Sequence, residues 1–336
     1  MTAKKERIVS GMRPTGPLHL GHHFGVLANW LAMQEEHECF FFVADCHPLT
    51  SEYADPKKIK CFVPGLVIDW IAAGLDPTKC VIFQQSQVKE HAELHLLLSM
   101  LTPVGWLERN PTYKEVAQEL SGQKDLATYG FLGYPVLMCS DILLYQATAV
   151  PVGQDQLPHL ELTREIARRF NFLNCPENAP YFPEPKAMLT EEAKLPGLDG
   201  RKMSKSYGNS ITLGEPLEDI GPKIKTMLTD KNRLRKSDPG DPDLCNLFPY
   251  HKLMTGADTQ AEIREGCTKA SLGCVDCKKL LMESLTRFLT PVHERRRALE
   301  ADPERLWAIL ADGNARARAV AARNMEAIRQ ALNFNF

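Results

Sequence analysis

The chain has 336 residues, of which 44% are hydrophobic and 24% charged, so it can bury a sizeable core and form two domains. This composition excludes a disordered or low-complexity chain, and no apolar run approaches the ~20 residues of a membrane span. The net charge of −2 is unevenly distributed, because residues 1–200 are acidic on balance and residues 201–336 are basic. We therefore expect any polyanion to bind mainly to the second part.

The N-terminus, MTAKKERIVSG, carries charge but no apolar stretch of signal-peptide length. This predicts an intracellular, cytoplasmic protein without a membrane partner. In such a compartment the ten cysteines should mostly be reduced thiols. Four of them fall within a short segment of the second part and need a separate explanation.

Strand and helix signals alternate over the first hundred residues. Helices are predicted from Gly21, where apolar residues recur at helical spacing, and from Asp55-Pro56 to Gly74. Short apolar runs predict strands at residues 7–10, 39–44 and 80–83. Strands that alternate with helices of this length predict βαβ units and a parallel sheet.

The remaining chain becomes increasingly helical. Residues 105–145 are predicted to be helical, residues 147–153 form a further strand, and the Pro- and Gly-rich residues 175–200 form a loop. Strand signals vanish after about residue 215. The predicted fold class is therefore α/β: a Rossmann-type parallel sheet domain over residues 1–215, with a helical insertion near 105–145, followed by an all-helical domain over residues 216–336. The last helix is expected to pack back on the first domain.

Two short motifs carry residue types suited to phosphate chemistry. The first, His19-Leu20-Gly21-His22, follows the first strand and opens a helix, where free backbone N–H groups and the helix dipole favour an anion. The second, Lys202-Met203-Ser204-Lys205-Ser206, lies at the end of a loop from which two lysines can reach adjacent phosphates. Each motif alone could equally be a solvated loop, so the argument depends on their occurring together.

HLGH at the start of a Rossmann-like unit and KMSKS about 180 residues later resemble the two signatures of class I aminoacyl-tRNA synthetases. The blocks YPVLMCSDILLY (134–145), VPVGQDQ (150–156) and HLELTR (159–164) are similar to those of the bacterial tryptophanyl-tRNA synthetases. This resemblance extends over essentially the whole chain. It implies the Rossmann-type fold, ATP with Mg²⁺, L-tryptophan and tRNA(Trp) as substrates, and a homodimer formed through the insertion.

The resemblance also implies a tryptophan pocket. Asp141 matches the acid that accepts the indole N–H, a role that suits an acceptor-only carboxylate. Met138 and Tyr134 match residues that pack on the indole, Gln156 matches the residue that binds the ammonium group, and His47 matches a further lining position.

The implied ATP site includes the two motifs and a ribose-binding GxDQ segment. Catalysis is assigned to His19, His22, Lys202 and Lys205, which would stabilise the developing charge and hold the pyrophosphate. Arg13 replaces the glutamine more often found at its position, and Leu195 is the weakest of these assignments. The implied ATP-binding residues are Arg13, Thr15, Gly21, His22, Gly153, Gln154, Asp155, Leu195, Lys202, Met203, Ser204, Lys205 and Ser206.

The four clustered cysteines, Cys245, Cys267, Cys274 and Cys277, have the spacing C-x21-C-x6-C-x2-C. Structural zinc usually shows two close pairs, whereas four thiolates can equally hold a [4Fe–4S] cluster. A subset of bacterial tryptophanyl-tRNA synthetases has such a cluster with nearly this spacing, and the first gap is one residue shorter here. A [4Fe–4S] cluster is therefore predicted, with Zn²⁺ or free thiols as the alternatives.

Two other functions remain open from the sequence. A tyrosyl enzyme would share both motifs and differ in the pocket around Asp141 and Met138. A non-catalytic RNA-binding or sensor paralogue would have no use for two phosphate-binding motifs. The predicted reaction is ATP-dependent attachment of L-tryptophan to tRNA(Trp) through a tryptophanyl-adenylate, with release of AMP and pyrophosphate.

Overall fold

The computed structural model describes residues 5–111, 128–189 and 195–334. Five parallel strands form one sheet in the order β3-β2-β1-β4-β5. The strands are β1 (Arg7–Met12), β2 (Glu38–Val43), β3 (Val81–Gln84), β4 (Ala149–Val152) and β5 (Lys186–Leu189). This confirms the α/β fold class and the four predicted strands.

The predicted loop over residues 175–200 is wrong in one respect, because it contains the edge strand β5. Its four residues Lys-Ala-Met-Leu lie between prolines and show no alternating pattern of their own. They are extended because they pair with β4 in parallel, for example Val150 with Ala187. Pairing over a long sequence separation, rather than local propensity, forms this strand.

Helices surround the sheet. Those before β4 are α1 (Leu20–His22), α2 (Ala28–Glu36), α3 (Leu49–Glu52), α4 (Lys57–Ala73), α5 (Glu90–Leu101), α6 (Val104–Glu108) and α7 (Tyr129–Leu143). Those after β4 are α8 (Leu157–Asn174), α9 (Leu217–Thr226), α10 (Phe248–Met254), α11 (Ala257–Thr268), α12 (Cys274–Glu300) and α13 (Pro303–Ala331). The described residues beyond 215 contain no strand. Residues 112–127 of the predicted insertion lie outside the described residues.

Alternate residues of the sheet enter two separate cores. Ile8 and Phe41 pack on one face with Trp30 and Trp70, whereas Val9 packs on the other. Both faces are covered, as continuous apolar strands such as ECFFFV in β2 require. The fold therefore leaves the carboxyl ends of the strands as the open edge for a site.

Helix α13 lies along the outer strand β3. A Cβ on Gly313 would lie 1.8 Å from the Ile82 carbonyl oxygen, so only glycine allows this approach. Asn314 Oδ1 accepts a hydrogen bond from the Gln84 backbone N–H at 2.9 Å, which satisfies part of an otherwise open sheet edge. None of the helices in the described ranges combines the length and apolarity needed to cross a membrane. The division of the chain at residue 215 stays a prediction.

Candidate active site

A cavity of about 650 Å³ opens at the carboxyl ends of β1 and β4. Here the chain order of the sheet reverses, and such a switch point is where open α/β sheets bind ligands. The segment after β1, the segment after β4 and helix α7 form its walls. The sequence-predicted residues that line it are Arg13, His47, Tyr134, Met138, Asp141, Gly153, Asp155 and Gln156.

The other predicted site residues lie outside this lining. Thr15 and Gln154 are exposed. Leu195 is buried in the core together with Met203, rather than in the cavity wall. The HLGH turn and the KMSKS loop lie next to each other, and Lys205 connects them to the segment that follows β1.

Asp141 is 2% exposed and lies on α7, where three side chains from other elements surround its carboxylate. Oδ2 accepts from His47 Nε2 at 2.7 Å. Oδ1 accepts from Gln85 Nε2 at 2.7 Å and from His91 Nδ1 at 2.6 Å. Burial alone raises the pKa of Asp141, but the hydrogen bonds from His47 and His91 more than offset it and lower the pKa to about 2. Asp141 is therefore an ionised acceptor at neutral pH.

A carboxylate offers about four lone-pair directions, and three of these are used. One acceptor position on Asp141 remains for a donor in the cavity. His91 is in turn oriented by Tyr145, whose hydroxyl lies 2.9 Å from His91 Nε2. The arrangement fixes a negative charge in a buried wall and leaves it one unpaired direction.

Tyr134 and His159 form a second polar wall. The Asn110 amide donates to His159 Nδ1 at 3.1 Å, so the ring proton lies on Nε2, which is 3.3 Å from the Tyr134 hydroxyl. Burial lowers the pKa of His159 to about 4 and raises the pKa of Tyr134 to about 12. Both groups are therefore neutral, and the Tyr134 O–H is free to donate into the cavity.

The HLGH turn forms a reciprocal cap. The His22 backbone N–H donates to His19 Nδ1 at 3.3 Å, and the His19 backbone N–H donates to His22 Nδ1 at 3.2 Å. The two rings stack with centroids 3.6 Å apart. Because both Nδ1 atoms accept, each ring carries its proton on Nε2 and presents it as a donor. Burial lowers the pKa of His19 to about 4 and of His22 to about 3, so these donors are neutral.

Gly21 lets the KMSKS loop approach this turn. A Cβ there would lie 3.0 Å from His19 Nδ1 and 3.6 Å from Met203 Sδ. Immediately after the loop, the segment 211–213 pairs with the turn, through Leu20 N to Ile211 O at 3.0 Å and Leu213 N to Leu18 O at 2.8 Å. The backbone therefore brings together two motifs that lie about 180 residues apart.

Lys205 bridges the loop to the segment after β1. Its Nζ donates to the Thr15 carbonyl oxygen at 3.0 Å. The Nζ atom also lies only 3.1 Å from the position that a Cβ on Gly16 would take. Gly16 has a φ of 119°, a conformation that favours glycine. Burial lowers the pKa of Lys205 from its ordinary value. Lys202 is exposed, and no hydrogen bond from its side chain to the described residues is observed.

Several functional contacts were not found from the sequence. Gln85 and His91 complete the environment of Asp141, Asn110 fixes the His159 tautomer, and Asn209 holds the KMSKS loop by accepting from Ser204 N at 2.8 Å. Of these contacts, only the one between Asn110 and His159 involves a block that the sequence analysis singled out, HLELTR. Gln85, His91 and Asn110 are single polar residues whose partners are distant in sequence, and Asn209 lies just beyond the KMSKS motif that it holds.

Four cysteines converge on a second, much smaller cavity of about 20 Å³, between α10, α11 and the start of α12. Cys245, Cys267, Cys274 and Cys277 all line it, together with Arg233. Arg233 Nη1 lies 3.8 Å from Cys267 Sγ and 3.9 Å from Cys274 Sγ. Within the described ranges, however, no three His, Cys, Asp or Glu side chains are grouped closely enough to ligate one metal ion.

Comparisons with known proteins agree with this geometry. Residues 1–290 match the family described as class I tRNA synthetases (W and Y). A tryptophan–tRNA ligase of Thermotoga maritima is 52% identical, over 98% of this chain and 100% of that protein. A second, from Aquifex aeolicus, is 44% identical over 97% of this chain and 99% of that protein.

Among solved structures, the tryptophanyl-tRNA synthetase of Campylobacter jejuni complexed with ADP and tryptophan superposes with a TM-score of 0.86. It is 35% identical, over 97% of this chain and 99% of that one. Fold, site and sequence relatives therefore agree, and the chain belongs to the class I tRNA synthetase family of tryptophanyl and tyrosyl enzymes.

Proposed function

We propose that this chain is a tryptophan–tRNA ligase, which activates L-tryptophan with ATP and transfers it to tRNA(Trp). The observation that carries the proposal is the buried, ionised Asp141 in the cavity wall, whose carboxylate accepts three of about four possible hydrogen bonds. The indole nitrogen is a donor only and matches that acceptor. The named relatives support the same substrate, because they are tryptophan–tRNA ligases over nearly the full chain.

In the first step the tryptophan carboxylate attacks the α-phosphorus of ATP, and pyrophosphate leaves. No side chain becomes covalently linked, so catalysis consists of positioning and charge stabilisation. Mg²⁺ would arrive with the ATP phosphates and neutralise part of their charge. The Nε2–H groups of His19 and His22 donate to phosphate oxygens, while Lys202 and Lys205 hold the departing pyrophosphate.

The amino acid is oriented by the opposite half of the cavity. Met138 packs on the indole, and Gln156 and His47 lie where they can contact the ammonium group. Asp155 accepts from Gln156 Nε2 at 2.7 Å. Both residues lie just before α8 and line the cavity together with Gly153. In this arrangement Gly153 and Asp155 are assigned to the ribose.

Amino-acid-dependent exchange of ATP with labelled pyrophosphate tests the substrate. Tryptophan should support exchange, and tyrosine and phenylalanine should fail at equal concentration. A preference for tyrosine would make this chain a tyrosyl enzyme. Absence of exchange with all three, in folded protein, would favour a non-catalytic RNA-binding or sensor protein.

Binding of tRNA is assigned to the helical part, residues 216–336. This part carries 20 Lys and Arg against 17 Asp and Glu, so it attracts a polyanion better than the acidic first part. We assign the anticodon arm of tRNA(Trp) to it. A truncated tRNA that lacks the anticodon arm should still be charged, but with weaker binding and a smaller salt dependence.

We propose a [4Fe–4S] cluster at the four cysteines, which line one small cavity. Half-buried Arg233 has a buried Nε atom without a partner among the described residues, and its Nη1 lies within 3.9 Å of two of the sulfur atoms. Four thiolates give such a cluster a net negative charge, which this cation would offset. Zinc requires sulfur atoms within about 4 Å of one another, given Zn–S bonds of about 2.3 Å. No three His, Cys, Asp or Glu side chains of the described residues are grouped in this way, so the proposed cluster rests on the convergence of the four cysteines and on Arg233.

The cluster is assigned a structural role, since its cysteines lie apart from HLGH and KMSKS. Anaerobically purified protein should be brown and contain about four irons per chain. Cys274→Ser should bleach it and weaken tRNA charging while tryptophan-dependent pyrophosphate exchange persists. Cys61→Ser, which changes an exposed thiol on α4, is the matched control. One zinc per chain without visible absorption would contradict the cluster.

A homodimer is proposed through the exposed side of α5 and α7. Leu96, Met100, Val104 and Tyr129 are 54–77% exposed, a concentration of large apolar side chains that is unusual for a free surface. Leu96 and Met100 lie one turn apart on α5 and so share a face. The second copy is the proposed occupant. Sedimentation should give a dimer, and Met100→Glu should shift it toward monomer; a monomeric wild type would contradict this.

A further inference from the structure

A buried ion pair joins the long helix α12 to the region of the HLGH turn. Asp69, on α4, is 1% exposed, and its Oδ1 is paired with Arg296 Nη1 of α12. Arg296 is held from its other side by Glu300 Oε1, 2.8 Å from Nη2. The guanidinium is therefore fixed between two carboxylates, one buried and one partly exposed.

The second oxygen of Asp69 holds the backbone of the HLGH turn. Oδ2 accepts from the Leu18 N–H at 3.0 Å, one residue before His19. The Leu18 carbonyl accepts from Leu213 N on the opposite side. Asp69 and the segment 211–213 therefore hold the backbone of the same residue, Leu18, at its N–H and at its carbonyl oxygen.

Arg296 also lies against Gly214, the residue that follows the segment 211–213. A Cβ on Gly214 would lie 2.8 Å from Arg296 Cζ and Nε, so the guanidinium fills the space beside the glycine backbone. The Arg296 side chain thus contacts both Asp69 and the end of the segment 211–213, which together hold Leu18. The geometry places Arg296 as a brace behind HLGH.

Stability alone does not account for this pair. Buried ion pairs are often no better than well-packed apolar residues of similar volume, whereas removal of one partner is strongly destabilising. We propose that Asp69, oriented by Arg296, is a positioning residue that sets the HLGH turn for adenylate formation. Neither residue contacts a substrate; they act through Leu18 on the placement of the His19 Nε2–H.

The inference rests on the proposed adenylation reaction and is tested with two double variants of the full chain. Asp69→Leu/Arg296→Met removes both charges and the acceptor for Leu18. Asp69→Asn/Arg296→Met removes both charges but keeps a carbonyl acceptor for Leu18. The readouts are the single-turnover rate of adenylate formation, the tryptophan Kd and Tm.

The leucine variant should form adenylate about 10- to 100-fold more slowly with an unchanged tryptophan Kd, because small displacements of catalytic groups are that costly. The asparagine variant should remain within about threefold of wild type, a rescue that a purely structural role does not predict at matched Tm. Equal rates in the two double variants would overturn the proposal. If wild type lacks tryptophan-dependent pyrophosphate exchange, the proposed function fails instead.

Single variants cover the case in which the leucine variant does not fold. Arg296→Met leaves Asp69 buried without its counter-ion and should lose rate, which the added Asp69→Asn change should restore. A wild-type rate in Arg296→Met would overturn the proposal. Arg295→Met is the matched control, since Arg295 donates to the Ala72 carbonyl at 2.6 Å on the same helix pair without contacting Asp69. It should lower Tm and leave the rate unchanged.

Discussion

The two halves of the active site differ in how they hold charge. On the amino-acid side, Asp141 is buried, ionised and already bonded to three donors. On the phosphate side, the histidines are neutral, Lys202 is exposed and Lys205 is bonded to a backbone carbonyl. The amino-acid side is preorganised for recognition, whereas the phosphate side must exchange its present contacts for those of ATP.

This difference has a chemical reason. Selection between similar amino acids requires a polar group that is costly to leave unpaired, which needs burial. Stabilisation of a transferring phosphoryl group requires donors that strengthen their contacts only in the transition state. Lysines on the loop held by Asn209 can do so by exchanging a present contact, such as that of Lys205 with the Thr15 carbonyl, for one with a phosphate.

The largest expected effect is a loss of the rate of adenylate formation when the phosphate side is changed. Lys205→Ala should slow adenylate formation by about 10²- to 10³-fold, because loss of one donor to a developing transition-state charge costs ~3–4 kcal/mol. Single-turnover measurement of adenylate formation checks it. Arg201→Ala is the matched control, since Arg201 pairs with Asp199 and its guanidinium lies over the Tyr207 ring instead. Equal rates in the two variants would remove Lys205 from the reaction.

A smaller effect belongs to the amino-acid side. Asp141→Asn keeps a carbonyl acceptor but loses the charge, so the preference for tryptophan over phenylalanine should fall by about 10- to 100-fold, the worth of a hydrogen bond to a charged group. The ratio of kcat/KM in pyrophosphate exchange measures it. Asp45→Asn is the control, because Asp45 is also buried but bonds Gln84 and Ser86 outside the cavity. An unchanged preference would place the indole elsewhere.

The smallest effect is a pH dependence of the phosphate side. Burial lowers the pKa of Lys205, so its charge, and with it the rate of adenylate formation, should be lost at a lower pH than for an exposed lysine. Lys205→Arg should remove this alkaline decline, since a guanidinium stays charged. His19 and His22 have pKa values of about 4 and 3 and should contribute no titration above pH 6. A decline that persists in Lys205→Arg would assign it to another group.

Much of this site could be predicted from the sequence, because its residues lie in contiguous blocks. YPVLMCSDILLY placed Tyr134, Met138 and Asp141 on one helix, and VPVGQDQ placed Gly153, Asp155 and Gln156 after a strand. The structure brings all six to the same cavity. Local pattern was sufficient wherever neighbours in sequence remain neighbours in space.

Long-range pairing set the limit of prediction. Strand β5 forms only because it pairs with β4. Gln85 and His91 reach Asp141 across 56 and 50 residues of sequence, and Arg296 reaches Asp69 across 227. No local signal marks such residues, since a single glutamine, histidine or arginine is compatible with an ordinary surface position.

The contrast between the two halves is tested most directly by tryptophan binding in the absence of ATP. Calorimetric titration of tryptophan into wild type, Asp141→Asn and Lys205→Ala separates recognition from chemistry. If the amino-acid side is complete before ATP binds, Lys205→Ala should retain the wild-type Kd and Asp141→Asn should bind about 10- to 100-fold more weakly. Equal losses in both variants, or an unchanged Kd in Asp141→Asn, would contradict it.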